Sequence, residues 1–281
     1  MTDSPSAVAE PAADPTSTEP LEGPSPYDAY VHASVLNALQ QPLTEAADEM
    51  GFLVTTQVME LWFTLVVHEW QAAGEAFAKD DLDAGTDALV RSTRALTALN
   101  ASWKPIAALT PMQFNAFREA FGRASGFQSA MYRRLEFLLG QKNAGLLNNH
   151  RGDPLVHEAL AETYRAASLY DEVLRFLHRR GLPVPEHVVE RDVTAPYASD
   201  PGVVAAWREI YAAPRHELLA LGEQLTDIAE LVARWRFDHI MVVRRAMGAK
   251  PGSAGSSGLA WLERRASLPV FPELWQVRGE L

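Results

Sequence analysis

Beyond residue 26 the apolar positions recur at three- and four-residue spacing, the pattern of helices that each bury one face. Phe52, Thr56, Met59, Glu60 and Phe63 share a face of a long segment running to about Ala78, and a second segment begins near Asp81 and carries Leu89, Leu96 and Leu99. Thr110-Pro111-Met112-Gln113 reads as a helix start, with Thr as N-cap, Pro at the first helical position and Gln three residues after the cap. That helix carries Phe114, Phe117, Arg118 and Phe121 before residues 122–126 interrupt it; the pattern resumes from Phe127 to Leu139 and stops at Gly140, a C′ glycine. Further helices are predicted over 155–166, 168–180, 201–212 and 215–248, and residues 181–200, with three prolines, read as a connection. No period-two strand pattern and no internal repeat breaks the series. Residues 27–281 are therefore expected to form one all-α domain, a helical bundle.

Residues 1–26 are of a different kind. They hold six prolines and five acidic residues, no Lys or Arg, and almost no large apolar side chains. Such a segment cannot offset the entropy of ordering itself, and a disordered acidic tail is expected. The whole chain of 281 residues carries a formal charge of −11, which argues against nucleic acid or an anionic membrane as partner. It has no cysteine, which excludes disulfides, thiolate metal sites, a cysteine nucleophile and thiolate-ligated haem. No apolar run approaches the roughly 20 residues of a membrane span, and the start of the chain lacks the basic and apolar regions of a signal peptide. A soluble, cytoplasmic protein is the expectation.

Familiar catalytic signatures are missing. None of the eight histidines falls in an HExxH pair, and there is neither a GxSxG elbow nor a phosphate loop. His239 stands out because Trp235, His239 and Val243 share a helix face at i, i+4 and i+8. A histidine on such a face is commonly a hydrogen-bonded core residue; here a Gly/Ser stretch, residues 252–258, follows directly, of the kind that presents hydroxyls and free N–H groups to an anionic or zwitterionic ligand. On its own that stretch equally fits a flexible linker. Arg118, among phenylalanines, needs a carboxylate partner, from the protein or from a ligand.

Taken together, Phe52-Leu53-Val54-Thr55-Thr56-Gln57-Val58-Met59-Glu60-Leu61-Trp62, Phe117-Arg118, Ser125-Gly126-Phe127-Gln128-Ser129, His239 and the 252–258 loop resemble the tryptophan 2,3-dioxygenase family, in the family's order and over nearly the whole chain from Tyr27 to Leu274. The resemblance implies an all-helical fold, b-type haem held through one histidine, a homotetramer or homodimer, and tryptophan and O2 as substrates. It makes His239 the proximal iron ligand and places Trp103, Ser125 and Gly126 near the haem. Arg118 becomes the carboxylate-binding residue, Ser253 the contact for the substrate's ammonium and carboxylate, and Phe52 and Phe114 pocket residues. Tyr27 and Tyr30 match tyrosines that reach a neighbouring subunit's site.

Three departures from the family pattern bear on function. Thr56 stands where a distal histidine is usual, Phe114 replaces a tyrosine, and the lid's Thr-Gly-Gly becomes Ser253-Ala254-Gly255. Thr56 cannot act as a base near neutral pH as imidazole can. Two products therefore remain open: an N-formylkynurenine by dioxygenation, or a 2-oxindole by mono-oxygenation with an external reductant, from tryptophan or a substituted tryptophan. A haem sensor or carrier, and a scaffold without cofactor, are the non-enzymatic alternatives.

Overall fold

The computed structural model describes residues 23–213, 217–248, 250 and 258–281. Among these residues every regular element is helical, as the periodicity predicts. The chain divides into two compact units, one ending at Gln41 and the other beginning at Pro42.

The smaller unit holds two short helices, α1 (Pro26–Val31) and α2 (Ala33–Leu36), joined at His32, whose φ of 55° is left-handed. Ser25 caps α1 by accepting the Asp28 N–H at 3.1 Å, and Pro26 fills the first turn. Tyr27 and Tyr30 are exposed on α1. Of the expected disordered tail, residues 1–22 lie outside the described residues, and the rest leads directly into α1.

The larger unit is built on three long or central helices: α3 (Ala47–Ala78), α4 (Leu82–Ala101) and, far along the chain, a 29-residue helix from Leu219 to Met247. Between them come α5 (Pro111–Arg118), α6 (Ala130–Leu138), α7 (Pro154–Arg165), α8 (Leu169–Arg179), α9 (Glu186–Val189) and α10 (Pro201–Ala212); the 29-residue helix is α11, and α12 (Leu259–Ala266) and α13 (Pro272–Arg278) close the chain. Helix α4 packs on both α3 and α11, while α8 and α6 pack on α3. Trp70 is fully buried at the α3–α4 seam, its indole N–H donating to Ser92 Oγ at 3.0 Å. Leu89, Leu96 and Leu99 of α4 are likewise out of water, each contributing about 1.5–3 kcal/mol of burial.

The Thr110 capping box forms as the sequence predicts: Thr110 Oγ1 accepts the Gln113 N–H at 3.3 Å and Gln113 Oε1 accepts the Thr110 N–H at 3.0 Å. Residues 127–139 differ from the single helix expected. Ser125 caps a 3-10 turn, Gly126–Gln128, and Ser129 caps α6 separately; each serine offers the backbone an acceptor that ends one element and starts the next. The 181–200 connection contains α9. Among the described residues one helix, Ala47–Ala78, is long and apolar enough to cross a membrane by length and composition, where the sequence reading expects no such run; it packs against α4, α8 and α6.

Candidate active site

The face of α3 predicted to be functional starts with Phe52, which is half-buried against three phenylalanines delivered by α5 and the 3-10 turn after it. Its ring stacks on Phe121 at 5.2 Å and 22°, and meets Phe114 at 5.8 Å and Phe117 at 5.6 Å in tilted contacts. The capping box sets the start of α5, and the i, i+3, i+7 spacing of Phe114, Phe117 and Phe121 then puts all three rings towards α3. Arg118, half-buried, ends α5 beside this cluster in sequence. One turn after Phe52, Thr56 is exposed, and its hydroxyl donates to the Phe52 carbonyl at 2.7 Å. Its proton is thus committed to the helix, and only oxygen lone pairs remain to face a ligand.

The second part of the site lies on α11. His239 stacks on Trp103, with ring centroids 5.0 Å and planes 23° apart, and leans on Trp235 at 5.5 Å. Trp235 in turn touches Trp103 (5.3 Å), Phe63 of α3 (5.5 Å) and Tyr132 of α6 (4.9 Å). Helices α3, α4, α6 and α11 therefore all reach this point, with Trp103 just past the end of α4. The imidazole keeps some accessible surface, yet it is lodged deeply enough that burial, reinforced by the Arg133 guanidinium, pushes its pKa down to about 4. At neutral pH the ring is uncharged and keeps a lone pair to give to a metal.

Around this imidazole several donors lack acceptors. The indole N–H groups of Trp103 and Trp235 are buried with no hydrogen-bond partner among the described residues, as are Nε and Nη1 of Arg133. Arg133 is buried; its Nη1 lies 2.5 Å from Glu136 Oε2, a close ion pair that still leaves the hydrogen-bond geometry unmet. Glu136 also takes Arg265 of α12 at 2.6 Å and lies 3.9 Å from Arg236. One carboxylate thus answers three guanidinium groups, leaving an excess of positive charge on this side. Unpaired buried donors cost about 1–3 kcal/mol each, so an arrangement of this kind fits a ligand with an anionic edge.

A haem is a flat apolar disc with a metal at its centre and two carboxylates on its rim. A neutral imidazole and two indole rings suit the disc and its metal, and the two unpaired indole N–H groups are donors suited to its carboxylate rim. The structure brings together His239 and Trp103 in one cluster, and Phe52 and Phe114 in another, both borne by α3 and its neighbours. Ser125 is half-buried and Gly126 exposed at the 3-10 turn that precedes α6. Ser253, with the rest of the 252–257 stretch, lies outside the described residues, and Tyr27 and Tyr30 belong to the smaller unit. Sequence reasoning did not single out Trp235, Arg133, Phe117 or Phe121 as site residues. The i−4 spacing of Trp235 from His239 was a signal; Arg133 looks in sequence like a surface charge.

Known proteins resemble this chain over most of its length. A family model, tryptophan 2,3-dioxygenase, matches residues 13–152 and 210–281. Tryptophan 2,3-dioxygenase from Bradyrhizobium diazoefficiens is 40% identical over 254 residues, covering 90% of this chain and 91% of the relative. Its namesake from Polaromonas naphthalenivorans is 39% identical over 91% of each chain, and that from Exiguobacterium sibiricum 40% identical over 91% of this chain and 92% of the relative. Similarity of this degree, spread over both the phenylalanine cluster and the His239 helix, settles the assignment: the chain belongs to the tryptophan 2,3-dioxygenase family.

Proposed function

We propose that this protein is a haem-dependent oxygenase that adds O2 across C2 and C3 of the indole of L-tryptophan, giving N-formylkynurenine. The observation that carries this reading is His239, held uncharged between two indoles beside buried donors with no acceptor. His239 would ligate the iron, with Trp103, Ser125 and Gly126 along the haem and Arg133 and the indole N–H groups towards its carboxylates. When bound, the haem supplies the O2 activation. The chain's own residues bind and orient. Arg118 fixes the amino-acid carboxylate, a role shared with Ser253, and the Phe52, Phe114, Phe117 and Phe121 rings give the indole an apolar seat that excludes water. Thr56 offers an acceptor for the indole N–H without taking its proton. In this reaction both oxygen atoms enter the product and the C2–C3 bond breaks, so no external electrons are needed.

The lack of an imidazole at position 56 supports a second product. A single oxygen atom would enter to give a 2-oxindole, the other leaving as water with two protons and two electrons from an external reductant. A β-methyl or ring-substituted tryptophan is then a further candidate substrate. In either case assembly as a homotetramer or homodimer, with Tyr27 and Tyr30 contributed to a neighbour, extends the same reading.

The test is reconstitution with haem and reaction with tryptophan under labelled O2. Two labelled atoms in the product establish dioxygenation and one establishes the oxindole route. Haem uptake without turnover under any reductant leaves the carrier reading, and His239→Ala retaining an unchanged Soret band overturns the proposed ligand.

A further inference from the structure

Arg236 of α11 is buried three residues before His239, and its guanidinium reaches three separate segments. Nε donates to the Tyr132 hydroxyl of α6 at 3.2 Å, Nη2 to Gln141 Oε1 at 2.7 Å and Nη1 to the Leu268 carbonyl at 3.3 Å. All three partners are neutral. The Glu136 carboxylate, 3.9 Å away, lies closer to Arg133 and Arg265. Burying a guanidinium carries a desolvation penalty that neutral partners offset poorly. What the arginine adds is direction, because its planar fork fixes the groups it holds.

Tyr132 is the partner that bears on the site. Trp235 and Arg236 are consecutive on α11 and diverge by about 100°, yet both meet Tyr132. The Trp235 ring lies 4.9 Å from the tyrosine ring, and Arg236 holds the hydroxyl at its far end. Trp235 in turn leans on His239 at 5.5 Å. Packing alone does not fix these rings. A small, wholly apolar cavity borders Tyr132 and Trp235, with Phe63, Leu99 and Val232 among its other walls, and rings beside such a gap have room to shift. The Arg236–Tyr132 bond is directional and takes that freedom away.

We infer that Arg236 is a positioning residue of the oxygenase site: by holding the Tyr132 hydroxyl it seats Tyr132 against Trp235, and so sets the orientation of the His239 ring. This rests on the function proposed above and adds a residue to it. Arg236 acts through Tyr132 and Trp235 and not on the reacting atoms.

The test uses the full chain, isotope-labelled at histidine and prepared without haem, with the variants Tyr132→Phe and Arg236→Met. The His239 ring resonance, assigned by its loss in His239→Phe, reports the position of the imidazole against Trp103 and Trp235. Tyr132→Phe is expected to move it by more than its line width in the wild-type background and to leave it in place in the R236M background. In the haem-loaded, ferrous protein the iron–imidazole stretching band in the resonance Raman spectrum is expected to shift in Y132F. An unmoved resonance or an unshifted band in Y132F, or equal movement in both backgrounds, overturns the inference. Should R236M fail to fold, Arg236→Lys, which has no donor at the Nε position, is read by the same criteria. A wild-type protein that takes up haem but leaves tryptophan unchanged overturns the proposed function, and the haem-free resonance still decides the place of Arg236.

Discussion

The imidazole of His239 lies against the indole of Trp103, their centroids 5.0 Å and planes 23° apart. Because burial and Arg133 push the His239 pKa to about 4, the ring stays neutral where a free histidine would be half protonated, near pH 6.5. Iron binds the neutral form. Haem uptake by the apoprotein, followed at the Soret band, is therefore expected to be level from pH 7 to about 5 and to fall only as pH nears the value of 4. Stability follows the same sign. The unfolded chain takes up this proton near its ordinary pKa and the folded chain does not. The neutral ring's contribution is thus complete above about pH 6.5 and is lost as pH falls towards about 4, amounting to at most about 3 kcal/mol. His239→Phe is expected to remove that part of the pH dependence from urea melts of the apoprotein.

Thr56 donates its hydroxyl proton to the Phe52 carbonyl, which leaves the α3 wall without a base that titrates near neutrality at this position. Replacing it by histidine is tolerated by the helix, since the position is exposed and the propensity change is about 0.5 kcal/mol or less. Thr56→His is expected to introduce a limb near pH 6.5 into the pH profile of kcat/KM for tryptophan, absent from the wild type. Rates measured from pH 5.5 to 8.5 for both proteins decide it; a wild type with the same limb shows that another group already fills this role.

What could be read from sequence was local. The Thr110 capping box, the Gly140 terminus (φ 79°) and the Trp235–His239 face depend on spacings of three and four residues, and the structure contains all three. Features set by distant segments were not legible. Arg133 and Glu136 at i, i+3 look like an exposed helical ion pair, but they are buried, and Arg265 of α12 joins them from 129 residues away. The break at Ser129 is not legible because Phe127–Leu139 keeps a helical period across it. Helix α13 begins after Phe271, whose left-handed φ of 50° directly before a proline no local preference would select. It is held there by tertiary contacts with Tyr170.

The close approach of α3 and α4 requires a glycine at position 85. A Cβ there would sit 2.5 to 2.9 Å from carbons of the Phe77 ring, and Phe77 is fully buried with Phe176 against it. Overpacking of this kind costs about 1–3 kcal/mol, whereas alanine gains about 1 kcal/mol over glycine in helix propensity. The clash outweighs the gain for a larger, β-branched residue. Gly85→Val is expected to lower stability by about 2 kcal/mol or more in chemical denaturation. A stabilised variant would mean that Phe77 can move aside.

Far along the chain, Glu273 of α13 is wholly buried and accepts three hydrogen bonds: from Tyr197 Oη at 2.8 Å and the Asp200 N–H at 2.9 Å on one oxygen, and from Tyr170 Oη at 3.0 Å on the other. Tyr170 itself accepts the Trp207 indole N–H at 3.0 Å. A glutamine at 273 would keep one oxygen for the first two donors, but its NH2 would face the Tyr170 hydroxyl, and two donors would then point at each other. Glu273→Gln is expected to cost about 2–3 kcal/mol, because charge-assisted bonds are lost and a buried proton is left without an acceptor. Removing that proton first changes the outcome. In a Tyr170→Phe background no hydroxyl opposes the amide, so the same Gln substitution is expected to cost about 1 kcal/mol less than in the wild type. Urea melts of the four proteins of this cycle measure the difference directly. Additive losses would show that the two side chains stabilise α13 independently, with no shared network between them.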